Sequence, residues 1–584
     1  MPGGNQIEIV APRRRPRLTP EAIAHFGLTA ILVAVLIALV LLPVASILVK
    51  SVEDQEGAFV GLANFQAYLA NSSLSVSIGN SLLLGALTTA ITVAIAFAYA
   101  YALSRSCMPL KPLFRGIGLL PILSPSLLPA IALIYLFGNQ GFLKDWIADG
   151  TIYGLPGMVA AQVFYCFPHA LLILATALGM SDARLYEAAQ TLGASRQKMF
   201  RTITLPGARY GLINAIFVVF TIAVTDFGVA KVIGGQFNVL SIDIYKQVIG
   251  QQNFRMGAVV GVLLLLPAVL SFVVDFHVRR RQKSMLSARA VVLVPQPHPA
   301  FDALMLMAVS IVALLILLVV GTAILASLIA FWPYDLSLSL NNYDFASYDA
   351  AGWSSYVNSL KMAGWTALAG TTCAFGGAYL AEKGPGQILP RTLYRALAML
   401  PIAVPGLVLG LGYIFFFNDA SNPLNGLYGG LSILVTATVA HYYTVPHLMA
   451  VTALKQIDDE IDEAAAALGV PFWRTFARVT LPICLPTVID IATYFFLNAM
   501  TTIGAVVFLY QPATKLASVA VVEMDDTGDT AAAAAMAVLI LLSAACAKLL
   551  QVLLSSVVVN RTQAWRQRRA RDVSDDAAHL LSAT

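Results

Sequence analysis

The sequence predicts an all-α polytopic membrane protein of about twelve transmembrane helices, arranged as two tandem, parallel six-helix repeats. Three observations predict this class: 58% of the residues are hydrophobic and only 11% are charged, apolar runs recur along the chain, and the second half of the sequence matches the first. One soluble core could not bury the apolar surface of such a chain of 584 residues, so a soluble globular class is excluded.

The predicted spans are apolar runs of about 20 residues, long enough to cross roughly 30 Å of hydrocarbon as a helix. In the first repeat they cover 26–49, 76–104, 113–137, 155–178, 207–230 and 254–278. In the second repeat they cover 301–330, 356–381, 393–417, 428–452, 483–507 and 531–555. The first run is long enough to remain as an anchor, so we expect no cleaved signal peptide.

The distribution of Lys and Arg predicts the orientation, because translocation of positively charged loops is disfavoured. Most of these residues lie in the termini and in alternate loops. We therefore expect the chain to lie in the inner (plasma) membrane with both termini in the cytoplasm. The net charge of +5 is explained by topology and requires no nucleic-acid partner. The predicted segments are an N-terminal cytoplasmic tail (1–25), repeat 1 (26–282), a cytoplasmic linker (283–300), repeat 2 (301–560) and a C-terminal cytoplasmic tail (561–584).

The internal repeat rests on several collinear matches. The polar stretch "EAAQTLGASRQKMFRTITLP" beginning at Glu187 corresponds to "EAAAALGVPFWRTFARVTLP" beginning at Glu463, 276 residues later. Further matches pair Asn80-Ser81 with Asn358-Ser359, "LLPILSP" ending at Pro125 with "MLPIAVP" ending at Pro405, and Thr225 and Gly228 with Thr501 and Gly504. Six spans is an even number, so the second repeat enters the membrane in the same direction as the first.

Each polar stretch is typical of a short helix, a turn and a second helical turn on the cytoplasmic surface. An acidic residue suits the helix start, a glycine permits a turn that a Cβ would strain, and a proline suits the first turn of the next spanning helix. These positions are Asp182, Gly193 and Pro206 in the first copy, and Asp458 or Asp459, Gly469 and Pro482 in the second.

The spacing Glu-Ala-Ala, three residues, Gly, nine residues, Ile, one residue, Leu-Pro resembles the EAA signature of ABC importer permeases. The first copy matches at Glu187, Ala188, Ala189, Gly193, Ile203, Leu205 and Pro206. The second copy matches at Glu463, Ala464, Ala465, Gly469, Leu481 and Pro482, with Val479 in place of Ile. The resemblance implies that these residues form coupling loops, which dock on ATP-hydrolysing subunits. The alternative is an ordinary amphipathic helix at the membrane interface.

The chain itself lacks an ATP site, because a phosphate loop needs Gly-Lys followed by Ser or Thr, and no lysine here follows a glycine. We therefore expect no enzymatic activity, no catalytic residue and no cofactor in this chain, with ATP and Mg²⁺ held by two separate ABC ATPase subunits. The resemblance also implies a solute-binding protein on the outer side of the membrane.

Polar residues at the outer half of the fifth span of each repeat are candidates for the path of a small polar solute. They are Thr225, Asp226, Asn498, Thr501 and Thr502. Asp226 could meet the ammonium group of a zwitterion. Equally, these groups could hydrogen-bond between helices or simply end a span.

Fused permeases with two EAA loops resemble ferric-iron, thiamine and 2-aminoethylphosphonate importers, and segments 225–254 and 498–529 are most similar to the 2-aminoethylphosphonate branch. No spaced set of ligands predicts a metal site. His169 and His447, each after a proline, are interpreted as caps of carbonyls that proline frees. An ion-coupled secondary transporter would share the topology but has no need of two EAA loops.

Overall fold

The computed structural model describes residues 20–54, 56–146, 151–283, 291, 293–383 and 388–562. Its helices in repeat 1 are α1 (Pro20–Leu36), α2 (Leu42–Ser51), α3 (Ala63–Ala70), α4 (Ser72–Arg105), α5 (Lys111–Leu119), α6 (Leu127–Phe137), α7 (Leu155–Gly179), α8 (Ala183–Thr191), α9 (Arg196–Met199), α10 (Leu205–Thr225), α11 (Gly228–Ile233), α12 (Leu240–Tyr245) and α13 (Phe254–Lys283).

The helices of repeat 2 are α14 (Pro299–Leu328), α15 (Trp353–Lys383), α16 (Ile388–Met399), α17 (Gly406–Phe417), α18 (Leu431–Tyr442), α19 (Thr444–Leu454), α20 (Asp459–Ala467), α21 (Phe472–Thr475), α22 (Leu481–Thr501), α23 (Ala517–Asp526) and α24 (Thr530–Thr562). An antiparallel pair of strands, β1 (Ile329–Phe331) and β2 (Asp335–Leu338), follows α14. The all-α class is confirmed, since this hairpin is the only sheet among the described residues.

Every predicted span includes at least one helix of the structure. Among the described residues, eight helices are long and apolar enough to cross a membrane, and two bent helix pairs would add two broken spans. The predicted span 356–381 lies within the 31 residues of α15. The predicted span 428–452 corresponds to the shorter apolar helices α18 and α19, which are separated by a single residue.

The third span of each repeat is not the straight helix predicted for 113–137 and 393–417. The two helical segments of this span meet at an angle of 101° in repeat 1 and 114° in repeat 2. The breaks contain Pro125 and Pro405, and the residue before each proline is extended, with ψ of 145° and 113°. Proline has no backbone N–H and disfavours helical geometry in the residue before it, so the chain turns at these points.

The fifth span of each repeat is also shorter than predicted for 207–230 and 483–507. The helices α10 and α22 end at Thr225 and Thr501, and the next residue in each case is extended, with ψ of 133° and 141°. In repeat 1 that residue is Asp226, whose carboxylate starts a new short helix, α11. A polar side chain that caps the following helix therefore ends the span earlier than hydropathy alone predicts.

The first span of each repeat packs on the other repeat. Helices α1 and α2 contact α16 and α17, whereas α14 contacts α5 and α6. His25 Nε2 in α1 lies 2.8 Å from the Leu380 carbonyl oxygen, and the hydroxyl of buried Tyr413 donates a 2.9 Å hydrogen bond to the Leu39 carbonyl. Within each repeat the packed centre is α4, α7 and α10, or α15, α19 and α22. The two repeats are therefore units of sequence that interlock in space.

The predicted tails fall largely outside the described residues, and the predicted linker does so in part. Helix α1 begins at Pro20, so the end of the predicted tail 1–25 is helical, and α24 extends two residues into the predicted tail 561–584. The predicted linker 283–300 joins α13 to α14, and its residues 284–290 and 292 are not among the described ones.

We expect Gly412→Ala to destabilise the protein where the first span of repeat 1, which packs on repeat 2, contacts α17. A Cβ at Gly412 would lie 2.5 Å from the carbonyl oxygen of Pro43 in α2, and a backbone atom cannot yield cheaply. Overpacking of this kind costs about 1–3 kcal/mol, and the melting temperature in detergent should fall. Gly364→Ala in α15 is the control, because nothing lies within 4 Å of its added Cβ. Equal melting temperatures for the two variants would contradict the packing of the first span of repeat 1 on repeat 2.

Candidate functional site

The two EAA loops, residues 182–206 and 458–482, have the same local structure. The carboxylate of Asp182 accepts a 3.1 Å hydrogen bond from the Arg184 N–H at the start of α8, and Asp458 caps α20 in the same way. Asp458 rather than Asp459 is thus the N-cap of the second loop. Gly193 and Gly469 end these helices with φ of 72° and 70°. This left-handed conformation favours glycine, as predicted.

The end of each EAA loop contains a π-helical turn that the sequence did not predict. The second short helix continues into the spanning helix through a π-helical turn, at Phe200–Thr204 in the first loop and Phe476–Thr480 in the second. Pro206 and Pro482 follow these turns within the first turn of α10 and α22, as predicted. Since proline cannot donate a hydrogen bond, a wide turn ahead of it accommodates the missing donor.

Much of the exposed surface of the EAA loops is shared by the two copies, although Leu205 and Pro206 are exposed and Leu481 and Pro482 are half-buried. The glutamate, the first alanine and the glycine of the signature are exposed, whereas the second alanine and the Ile or Val are half-buried. The most exposed apolar residues of the loops precede the glycines: Leu192 is 87% exposed and Leu468 is 80% exposed. These leucines are not part of the EAA signature, so the signature gave them no role. Their repetition beside the two glycines was the signal that could have identified them.

A cavity of about 350 Å³ lies between the two repeats. It is bounded by α7, α10 and α13 of repeat 1 and by the broken third span, α18, α19 and α22 of repeat 2. All five residues predicted from the ends of the fifth spans line it: Thr225, Asp226, Asn498, Thr501 and Thr502. The structure therefore gathers residues from two spans that are 276 positions apart in sequence around one cavity.

Most of these polar groups make hydrogen bonds within their own segment. The hydroxyls of Thr225 and Thr501 donate to carbonyls one turn earlier, at 2.8 and 3.0 Å, and the Asn498 amide donates to the Tyr494 carbonyl at 2.8 Å. Asp226 accepts a 2.9 Å hydrogen bond from the Val229 N–H. Asp226 thus acts as a helix cap.

Sequence reasoning missed several other residues of the cavity wall. Tyr165, Tyr442 and Tyr494 present aromatic rings, and His169 and His441 present imidazoles. The segments "FYCFPH" and "AHYYTVPH" carry four of these residues in the fourth spans, and their distance from the fifth spans in sequence hid the association. Tyr494 lies in the fifth span of repeat 2, one turn before Asn498. Among the described residues that line the cavity there is no Lys or Arg.

The interpretation of His447 as a cap of free carbonyls is wrong. Its Nδ1 lies 3.4 Å from the Tyr394 hydroxyl, and its ring stacks on Tyr443, so the imidazole belongs to an aromatic cluster away from the cavity wall. In the part of the chain that the structure describes, no three His, Cys, Asp or Glu side chains gather as a metal site.

On the side of the membrane away from the EAA loops, called here the far side, the repeats are joined by charge. Lys231 of α11 forms a 2.9 Å ion pair with Asp526 of α23, and its ammonium group lies 5.3 Å from the centre of the Tyr245 ring. The pair combines a base of one repeat with an acid of the other. Such a pair requires the two copies to have diverged in sequence.

We expect the free energy of unfolding to decrease as pH rises from about 4 to about 7, because of the neighbouring Asp525. Burial, aided by the charge of Asp526, raises the pKa of Asp525 from 3.8 to about 7. The folded chain then binds more protons than the unfolded chain between these values, so stability is greatest below the lower value and is lost through the upper one. Asp525→Asn should flatten the pH dependence of the melting temperature. An unchanged slope in this variant would contradict the assignment.

The comparison with known families bears on both the loops and the cavity. Residues 90–284 and 374–559 match the family described as binding-protein-dependent transport system inner membrane component. The two matched segments contain the two EAA loops and the cavity-lining fifth spans. The chain belongs to this family of membrane-embedded transport components, and its family domain is present twice.

Relatives of the chain are named for different solutes. The chain is 27% identical to the ferric transport system permease protein FbpB of Actinobacillus pleuropneumoniae over 428 residues, 70% of this chain and 61% of that protein. It is 26% identical to FbpB 1 of Haemophilus influenzae over 416 residues, 68% of this chain and 64% of that protein. PhnV of Salmonella paratyphi A, named for 2-aminoethylphosphonate transport, is 28% identical over 193 residues, 33% of this chain and 71% of that protein. The chain spans less than two thirds of the length of the two FbpB proteins.

Proposed function

We propose that this chain is the membrane-spanning permease subunit of an ABC importer, with one ATPase subunit docked on each EAA loop at the cytoplasmic face. The exposed leucines Leu192 and Leu468 carry this proposal. An apolar side chain that is more than three quarters exposed at the same position of both copies gains free energy when a partner covers it. A partner with a matching cleft would bind twice, once on each loop.

The cavity between the repeats is the proposed path of the solute, which a solute-binding protein would deliver on the outer side. It lies where the fifth spans of both repeats end, and it is lined by hydroxyl, amide, imidazole and phenol groups. Non-helical backbone at membrane depth is tolerated where it lines such a cavity. The breaks after Thr225 and Thr501 and at Pro405 fit this rule.

For the solute we propose 2-aminoethylphosphonate. Three tyrosine rings and the carboxylate of Asp226 suit an ammonium group. The first residues of α17 also line the cavity, and a helix N-terminus favours an anionic group. Ferric iron is the second candidate, because the two FbpB relatives match more than two thirds of this chain. Thiamine stays an alternative solute of the same fused type.

The test is uptake by proteoliposomes that contain the chain with its co-purified ATPase subunits and the cognate binding protein. We expect labelled 2-aminoethylphosphonate to accumulate only when ATP is present. An ionophore should leave this accumulation unchanged. Accumulation of ferric iron alone would replace the proposed solute while leaving the importer intact. Uptake that persists without nucleotide and collapses with an ionophore would instead indicate an ion-coupled secondary transporter.

A further inference from the structure

The second span of repeat 1, α4, is attached to the first EAA loop at one end. The rings of Phe97 and Tyr101 lie edge-on to the ring of Phe200, with centroids 6.1 and 5.5 Å apart. At the end of the same helix, the Arg105 guanidinium donates a 2.7 Å hydrogen bond to the Ser181 hydroxyl, directly before the N-cap of α8. The loop is therefore held at both its start and its finish by one spanning helix.

The second span of repeat 2, α15, holds the second EAA loop with the equivalent set. Phe375 and Tyr379 contact the ring of Phe476, with centroids 6.0 and 4.7 Å apart. The Lys383 ammonium group, only 5% exposed, pairs with the Asp459 carboxylate at 2.6 Å. Lys383 occupies the position of Arg105, so a cation holds the start of the loop in both repeats even though its identity and partner differ.

The far-side end of α4 is attached to the segment that leads from α11 to α12. The Asn80 amide donates a 2.9 Å hydrogen bond to the Asn238 carbonyl, and the Ser81 hydroxyl accepts a 2.8 Å hydrogen bond from the Leu240 N–H. Ser81 is fully buried. The side chains of a repeated Asn-Ser pair, which had no assigned role, thus fix the start of α12.

The far-side end of α15 holds the corresponding segment of repeat 2. The Asn358 amide donates to the Ala513 and Lys515 carbonyls at 3.0 and 3.2 Å, and the Ser359 hydroxyl accepts a 2.8 Å hydrogen bond from the Ala517 N–H. Ala517 is the first residue of α23. The repeated pair therefore performs the same attachment twice.

The segments that these pairs hold are in contact with the cavity wall. In repeat 1, Tyr245 at the end of α12 packs against Phe227, with ring centroids 4.9 Å apart, and Phe227 lines the cavity. In repeat 2, the Ser518 hydroxyl donates a 2.6 Å hydrogen bond to the carbonyl of Thr502, which also lines the cavity. A displacement of either far-side segment would therefore reach the wall of the proposed path.

Between their two attachments, α4 and α15 are continuous helices without proline. They contain 34 and 31 residues, and at 1.5 Å per residue they extend about 50 and 46 Å. By contrast, α7, α13 and α22 each contain an internal proline, a common cause of helix kinks. A helix without such a kink transmits axial displacement with little loss.

We propose that α4 and α15 are rods that transmit motion of the EAA loops to the far-side segments around the cavity, with Asn80, Ser81, Asn358 and Ser359 as positioning residues. The inference rests on the proposed function and adds the route by which ATP hydrolysis at one face opens the path at the other. A two-ended attachment is required for such transmission, and both repeats have it.

The test uses the complex of this chain with its ATPase subunits, in a chain whose five cysteines are replaced by alanine. Spin labels at Gln236→Cys and Ala513→Cys report the distance between the two far-side segments, with and without ADP–vanadate trapped on the ATPase subunits after hydrolysis of ATP. S81A/S359A removes the buried acceptors. S75A/S354A is the matched control, because the Ser75 hydroxyl bonds within α4 and the Ser354 hydroxyl bonds to Ala351 directly before α15, so neither reaches a far-side segment.

We expect trapped ADP–vanadate to change the distance between the labels in the parent chain and in the control. S81A/S359A should lose at least half of that change while ATP hydrolysis is retained. S81T/S359T, which keeps the acceptor oxygen, should restore it. The proposal that α4 and α15 act as rods would be overturned by a full change of distance in S81A/S359A. It would also be overturned if the distance did not change in a parent complex that hydrolyses ATP. Failure of the parent chain to bind any ATPase would overturn the proposed function itself.

If the S81A/S359A chain does not assemble with the ATPase subunits, the same distance measurement is made with N80A/N358A. Asn80 and Asn358 are half-buried, so their truncation removes the second hydrogen bonds of each attachment without opening a buried site. Retention of the full distance change in that variant would contradict the rod, and loss of half or more would support it.

Discussion

Leu192→Asp combined with Leu468→Asp should reduce ATP-driven uptake to below about a tenth of the parent rate and release the ATPase subunits. Both leucines are exposed in the isolated chain, and burying a leucine contributes about 1.5–3 kcal/mol. That amount corresponds to roughly a 10- to 100-fold loss of affinity at each loop. An aspartate adds the cost of desolvating a charge. Co-purification of the ATPase and uptake by proteoliposomes measure the two effects.

L192M/L468M is the matched control, because methionine keeps the apolar volume at both positions. It should retain ATPase binding and uptake. The melting temperature of the aspartate variant should be close to that of the parent chain, since the leucines contribute little buried surface to the isolated chain. Normal uptake by the aspartate variant would mean that the EAA loops are only surface helices.

The course of the spans was predictable where hydropathy alone determines it, and not where the backbone turns inside an apolar segment. The prolines at which the third spans break, Pro125 and Pro405, are visible in "LLPILSP" and "MLPIAVP". The break itself could not be predicted, because a proline in an apolar run can kink, break or merely begin a helix. The early end of the fifth span at Thr225 depended on Asp226 as a cap. A hydropathy window averages over such single residues.

The packing of the first span of each repeat on the other repeat could not be predicted from the sequence. A helix that faces lipid and a helix that faces another helix bury equally apolar surfaces, so composition does not indicate the neighbour. Contacts such as that of Tyr413 with the Leu39 carbonyl depend on tertiary packing over 374 residues of sequence. The repeat was visible in sequence, whereas its interlocking was not.

The EAA loops were predicted almost completely, because their chemistry is local: a cap, a glycine with positive φ and a proline at fixed spacing. The cavity was predicted in part, through the polar ends of the fifth spans. Tyr165, Tyr442 and His441 come from the fourth spans, and only the fold brings them near Thr225. The Asn-Ser pairs were recognised as repeats, yet their role required the position of their partners on the far side.

Thr225→Trp combined with Thr501→Trp should block uptake while ATPase binding persists. Both residues line the cavity of about 350 Å³ from opposite repeats, and two indole rings would occupy much of it. Overpacking costs about 1–3 kcal/mol at each site, and a barrier raised by about 3 kcal/mol slows passage roughly 100-fold. Uptake by proteoliposomes and co-purification of the ATPase measure path and docking separately.

T225V/T501V separates obstruction from loss of a hydroxyl. Each threonine hydroxyl donates only to a carbonyl of its own helix, and valine has the same shape without that group. The valine variant should therefore transport at close to the parent rate, in contrast to the tryptophan variant. Equal losses in the two variants would assign the hydroxyls a direct part in solute binding, and undiminished uptake by the tryptophan variant would place the path outside this cavity.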